Sequence, residues 1–144
     1  MLTQIFLGSG LTLATIVIAV VSWWLLELVI WRLHDWSIRP PHGLRLMCIL
    51  ALALIWTLLM MMAAVWLWAV ALRALGIFVT FEEAVYFSLV AFTTLGFGDI
   101  LLPQEWRLLG GMAAANGLLM FGLLTAILVE TLRDTRLRQR GLRH

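Results

Sequence analysis

Thr93-Thr94-Leu95-Gly96-Phe97-Gly98-Asp99 is the stretch whose reading decides how this chain folds. Two glycines alternate with bulky residues, and an aspartate closes the run. Gly96 and Gly98 can take positive φ cheaply, which residues carrying a Cβ cannot. Read alone, the run is a glycine-containing turn between two helices. Its surroundings give it another sense. Upstream, Thr80-Phe81-Glu82-Glu83 has the form of a capping box, with Thr80 at the N-cap and Glu83 three residues on. The helix opened there is predicted to reach about Thr93, too short to cross a bilayer. Apolar stretches of spanning length flank it on both sides. The short helix is therefore expected to be re-entrant, entering the membrane and stopping halfway with the glycine run at its inner end. Its acidic start suits the positive end of the helix dipole, and its C-terminal end turns partial negative charge inward.

Composition sets the class. Of the 144 residues, 63% are hydrophobic, and the mean hydropathy is +1.02. Three apolar stretches near or above the ~20 residues that cross a bilayer indicate an integral helical membrane protein. No water reaches the bilayer core to satisfy stray N–H and C=O groups, so the spans are expected to be helices. The basic residues are ten arginines and no lysine. They sit beside membrane segments, so they are not a nucleic-acid signal and no nucleic-acid partner is expected. Cys48 is the single cysteine, which excludes an intrachain disulfide. Met1 to Gly10 lacks a basic n-region, and the segment is read as retained.

The first span is predicted from about Ile5 to Ile30, with Gly8-Ser9-Gly10 weakening its start. Trp23, Trp24, Trp31 and Trp36 gather at its end as interface aromatics do. Glu27, a carboxylate inside a span, is a functional candidate by type. Lying in the last turn or so, it is also within reach of headgroups or Arg32. A polar connector follows, from Arg32 to Arg45, where Pro40-Pro41 and Gly43 oppose helix. Its His34 and His42 have no partner cluster at metal-ligand spacing, and a solvated loop accounts for them. The second span is predicted over Leu44 to Leu72, with Trp56, Trp66 and Trp68 toward its outer half. Met60-Met61-Met62 reads as adaptable packing. Arg73 then Gly76 close the helix in the expected order. After Asp99, Pro103 marks a turn and Trp106 an interface, and a third span covers Arg107 to Thr131. The domains are thus 1–43 (first span and connector), 44–131 (second and third spans with the short helix and glycine run between them) and 132–144 (an Arg-rich tail).

Arginine counting orients the chain. Arg32, Arg39 and Arg45 of the connector share a side with Arg133, Arg136, Arg138, Arg140 and Arg143 of the tail, while Arg73 and Arg107 fall opposite. The positive-inside rule puts connector and tail in the cytoplasm and the N-terminus outside, with the short helix entering from outside.

From Leu44 to Thr131 the chain resembles the pore module of the potassium-channel superfamily: outer helix, pore helix, filter, inner helix. The Thr-Leu-Gly-Phe-Gly-Asp run resembles the filter, usually Thr-Val-Gly-Tyr-Gly-Asp. Phe121-Gly122-Leu123-Leu124-Thr125-Ala126 resembles the inner helix of small bacterial, two-pore-domain-like potassium channels. A single filter per chain implies a homotetramer around one pore. The resemblance implies that backbone carbonyls of Thr94, Leu95, Gly96 and Phe97, shaped by Gly98 and helped by the Thr94 hydroxyl, replace the hydration shell of K+. Phe97 is expected to brace the loop from behind. Leu118, Phe121 and Thr125 are expected to line a central cavity, their spacing of three and four fitting one helical face. Asn116 lies off that face and is expected to hydrogen-bond between helices. Gly117 falls at the family's hinge position.

Two departures bear on rigidity. Leu95 stands for valine and Phe97 for tyrosine, which removes a hydroxyl that ties the filter to the pore helix. Val90 stands where some relatives carry glutamate. The arginines are not spaced as in a voltage sensor, and the tail is read as too short for a ligand-binding domain. The reading is a potassium channel in the bacterial inner membrane, needing no cofactor beyond permeant K+ and meeting anionic lipid through its tail arginines. A weakly selective cation channel and a non-conducting scaffold are the alternatives. An enzyme is disfavoured, because no span carries two ionisable groups on one face.

Overall fold

A computed structural model describes residues 1–32 and 42–141, apart from the side chains of 42, 46, 134–136 and 138–141. Helix α1 is Leu2–Arg32, α2 is His42–Ala74, α3 is Phe81–Phe92 and α4 is Arg107–Gly141, with one 3-10 turn at Gln104–Trp106. The segments Leu2–Arg32, Gly43–Ala74 and Gln104–Arg133 are each long and apolar enough to cross a membrane. Helix α3 has 12 residues, about 18 Å of rise, and is not. The chain is an all-α, multi-pass membrane protein with a half-length helix between its second and third long ones.

The helix ends follow local chemistry. Thr80 Oγ1 accepts from the Glu83 N–H (3.2 Å) while the Glu83 carboxylate accepts from the Thr80 N–H (3.4 Å), so the capping box forms at α3. At the end of α2, Gly76 has φ +70°. Its N–H donates to Arg73 O (3.0 Å) and that of Ile77 to Leu72 O (3.2 Å). This pair of bonds is the Schellman closure, which needs a left-handed residue and here uses glycine.

Three boundaries differ from expectation. Helix α1 runs unbroken through Gly8-Ser9-Gly10, because Gly8 is pressed against Met112 and Leu109 of α4. Helix α2 starts at His42, so Gly43 to Arg45 are helical rather than loop. First-turn N–H groups have no intrahelical bond to lose, and glycine is tolerated there. Helix α4 continues to Gly141 through good helix formers such as Leu132, Leu137 and arginine. Arg133 pairs with Glu130 across one turn (3.9 Å). His34, Asp35, Trp36, Arg39, Pro40, Pro41 and Arg143 lie outside the described residues.

The chain divides into two compact units, Met1–Ile18 with Met61–Phe121, and Ala19–Met60 with Gly122–His144. In the first, α2 buries Met61, Ala64, Val65, Trp68, Ala69 and Leu72, all on one helical face. Helix α3 buries Ala84, Ser88 and Phe92, four residues apart, and α4 buries Leu109, Ala113, Asn116 and Met120. In the second unit Ala19, Ser22 and Leu26 of α1, Ile49, Ala53 and Thr57 of α2, and Leu124, Ile127 and Thr131 of α4 are inside. Trp56 Nε1 donates to Ser22 Oγ there (2.7 Å). The buried faces are rich in Ala, Gly, Ser and Thr. Lipid leaves no hydrophobic drive for helices to associate, so close approach of small residues holds them instead.

Candidate functional site

The decisive stretch starts where α3 stops. Thr93 caps the helix in right-handed geometry. The Thr94 N–H donates to Ala91 O (3.0 Å) and the Leu95 N–H to Val90 O (3.1 Å). This is the same closure that ends α2, but its left-handed position is occupied by Thr94 at φ +56°. A β-branched residue there costs about 1–2 kcal/mol, offset by two hydrogen bonds that the turn makes possible. Sequence reading put positive φ on the glycines alone. The position after a helix C-cap, filled by a threonine, was the available signal.

Beyond Thr94 the hand alternates. Gly96 has φ +58° and Gly98 φ +78°, with Leu95 and Phe97 outside the positive region between them. Alternating hand along a chain turns successive peptide planes the same way, gathering like backbone groups on one side of the strand. Among the described residues, no donor meets the carbonyls of Thr94 to Gly98. All these residues are exposed on the single chain; Leu95 is 57% and Phe97 65% exposed, so no wall of this chain covers Phe97.

The far end of the loop is tied back to the helix. Tyr86 Oη donates to Asp99 Oδ2 at 2.5 Å, and Asp99 Oδ1 accepts from the Ile100 N–H (3.0 Å). Bonding to the Tyr86 hydroxyl holds the Asp99 carboxyl below its ordinary range. The same bond to Asp99 raises the Tyr86 phenol, helped by partial desolvation and the carboxylate's charge. Tyr86 lies one turn before Val90, where no carboxylate stands. The loop thus has a helix tether that does not need one. Sequence reading passed over Tyr86. Its signal was being the sole tyrosine of the chain, among seven phenylalanines and eight tryptophans.

Behind α3 the packing is tight. Trp68 meets Phe92 edge-on, with ring centroids 6.1 Å apart, and is fully buried, unlike an interface aromatic. Phe78 and Phe87 contact each other (5.4 Å), as do Trp66 and Phe81 (5.2 Å). A Cβ built on Gly117 would lie 2.3 Å from Phe92 O and 2.4 Å from its Cα, so α4 touches the backbone of α3 there. Helix α4 is unbroken at this glycine. Asn116 is buried, and Thr15 Oγ1 of α1 donates to its Oδ1 (3.0 Å). It joins helices, as its place off the Leu118–Phe121–Thr125 face suggests. Leu118 and Phe121 are 64% and 44% exposed, and Thr125 is exposed too. Glu27 is exposed. Among the described residues no group of three His, Cys, Asp or Glu side chains is placed to hold a metal.

A half-length helix thus ends in a loop of alternating hand, whose carbonyls meet no donor among the described residues, between two apolar spans. No curated protein and no solved structure matches the chain. Residues 46–134 match the family model described as ion channel. More than half of the chain is covered, including most of α2, α3, the loop and most of α4: this protein belongs to the ion channel family, with a pore module of the potassium-channel superfamily.

Proposed function

We propose that the protein is a potassium-selective channel in which four copies surround one pore. Carbonyls of Thr94, Leu95, Gly96 and Phe97, with the Thr94 hydroxyl at the inner mouth, hold dehydrated K+, and Gly98 completes the turn. The alternation of hand at Thr94, Gly96 and Gly98 carries this reading. Carbonyls without protein donors at membrane depth require a partner, and a permeant cation supplies one. Leu118, Phe121 and Thr125 line the cavity below. The arginine distribution supports an outside N-terminus and a cytoplasmic C-terminus in a bacterial inner membrane, with the tail near anionic lipid.

A weakly selective cation channel is the second reading, favoured by Leu95 and by the missing hydroxyl at Phe97. The Tyr86–Asp99 tether favours the selective one, because it steadies the loop from its outer end. Purified protein in liposomes is expected to pass K+ or Rb+ at least about tenfold faster than Na+, a difference of about 1.4 kcal/mol. Gly96→Ala, at φ +58°, should flatten that preference, since a Cβ opposes the backbone angle. Equal K+ and Na+ flux in the wild type would put the weakly selective channel ahead. No flux of either ion across a range of voltage and pH would favour a non-conducting scaffold.

A further inference from the structure

The family match starts at residue 46, so α1 lies wholly outside it. Within the first unit, α1 is nonetheless fitted to α4 by three residues on one face, Gln4, Gly8 and Thr15. The Gln4 amide donates to the Glu105 carbonyl. Its Oε1 accepts from the Leu109 N–H (3.3 Å), one of the first-turn donors of α4 that lack an intrahelical partner. Gly8 admits the side chains of Met112 and Leu109 to within 2.5 and 3.3 Å of where its Cβ would be. Thr15, fully buried, meets Asn116.

From Thr15 the contacts continue to the ion loop. Asn116 adjoins Gly117, which lies on the Phe92 backbone. Phe92 ends α3, and the Thr94 turn that starts the loop hangs from the carbonyls of Val90 and Ala91 just before it. We propose that Thr15 is a positioning residue of the pore. By fixing Asn116 it holds Gly117 against Phe92, and so sets where α3 ends and the loop begins. The proposal rests on reading Thr94 to Gly98 as the ion path.

The chemistry of the pair gives it leverage. Asn116 is 1% exposed, and its Nδ2 meets no acceptor. Thr15 Oγ1 lies 2.7 Å from Thr12 O as well as 3.0 Å from Asn116 Oδ1. A hydroxyl has one proton and two lone pairs, so it can serve the amide as donor or as acceptor. Without it, the whole Asn116 amide is buried unpaired, a state that α4 relieves by shifting. The Gly117 contact is backbone against backbone and has no flexible side chain to absorb that shift.

The test uses the full chain with Thr15→Val, which keeps shape and loses the hydroxyl, and Thr15→Ser, which restores it. In Thr15→Val, hydrogen exchange at the Thr94 and Leu95 amides should be about tenfold faster, and the Rb+/Na+ flux ratio in liposomes should fall. Thr15→Ser should return both toward wild type, which a purely volumetric role would not predict. If Thr15→Val does not fold, Thr15→Cys, a much weaker hydrogen-bonding partner, carries the same test with the same expected direction. Unchanged exchange at Thr94 and Leu95, with wild-type flux intact, overturns the proposal alone. No flux in wild type, with exchange still accelerated in the variant, removes the ion-path reading and leaves the mechanical link from Thr15 to the loop standing.

Discussion

At Asp99 a single hydrogen bond does what the residues at positions 90 and 97 do not. Valine and phenylalanine there offer no polar atom, and the Tyr86 hydroxyl reaches the end of the loop instead. Asp99 is depressed below its ordinary 3.8, so the pair's stabilisation is complete above that value and is lost as pH falls through the lowered one. Tyr86 is raised above its ordinary 10.0; the stabilisation is present below that value and is lost as pH rises through the raised one. The tether is therefore intact throughout the window between 3.8 and 10.0. Tyr86→Phe is expected to speed amide exchange at Ile100 and to lower K+ preference across that window, with no titration step inside it. Exchange and flux measured against pH in both proteins check this, and a step in the wild type alone between those limits would contradict it.

At the scale of the element, glycines in the long helices are not equivalent. A Cβ on Gly117 would lie 2.3 Å from the Phe92 backbone, whereas one on Gly10 would meet nothing within 4 Å. Gly117→Ala is expected to lower stability by about 1–3 kcal/mol, because neither backbone can yield cheaply. Gly10→Ala, in an open helical position, is expected to be neutral or stabilising by up to about 1 kcal/mol. Thermal unfolding in detergent, followed by tryptophan fluorescence, separates the two. The contrast also bears on gating. An alanine at Gly117 changes the α3–α4 contact before it changes any bending of α4, so that substitution alone does not test a hinge. If Gly117→Ala is as neutral or stabilising as Gly10→Ala, the contact does not constrain position 117, and the substitution then tests bending there.

At the scale of the whole molecule, a single loop offers too few oxygens to replace a hydration shell. Leu95 and Phe97 of the loop, and Leu118 and Phe121 of the face read as cavity-lining, are all exposed on the single chain. A homotetramer is the assembly expected, and chemical cross-linking in mild detergent should end in a band of four chains. A stable monomer or dimer with full K+ flux would be incompatible with it. Helix α1 belongs to this scale too. Its tie to α4 through Gln4, Gly8 and Thr15 lies in the part of it, up to Ile18, that belongs to the first compact unit, although the helix lies outside the family match.

The amino-acid sequence by itself determined the membrane class, three long helices, the capping box at Thr80, the closure at Gly76 and the loop at Thr93 to Asp99. These depend on length, composition and contacts within a few residues, and such terms are local. Which faces the helices bury was not legible. Spans in lipid are apolar all round, so no periodic stripe marks the inside. The small residues that pack, such as Gly8, Ala64, Ser88 and Gly117, look like any others until their neighbours are present. Tertiary structure alone decided the partner of Tyr86, the burial of Trp68 and the link from Thr15 to Asn116. Each joins residues on different elements, and nothing within a few residues of either partner fixes it.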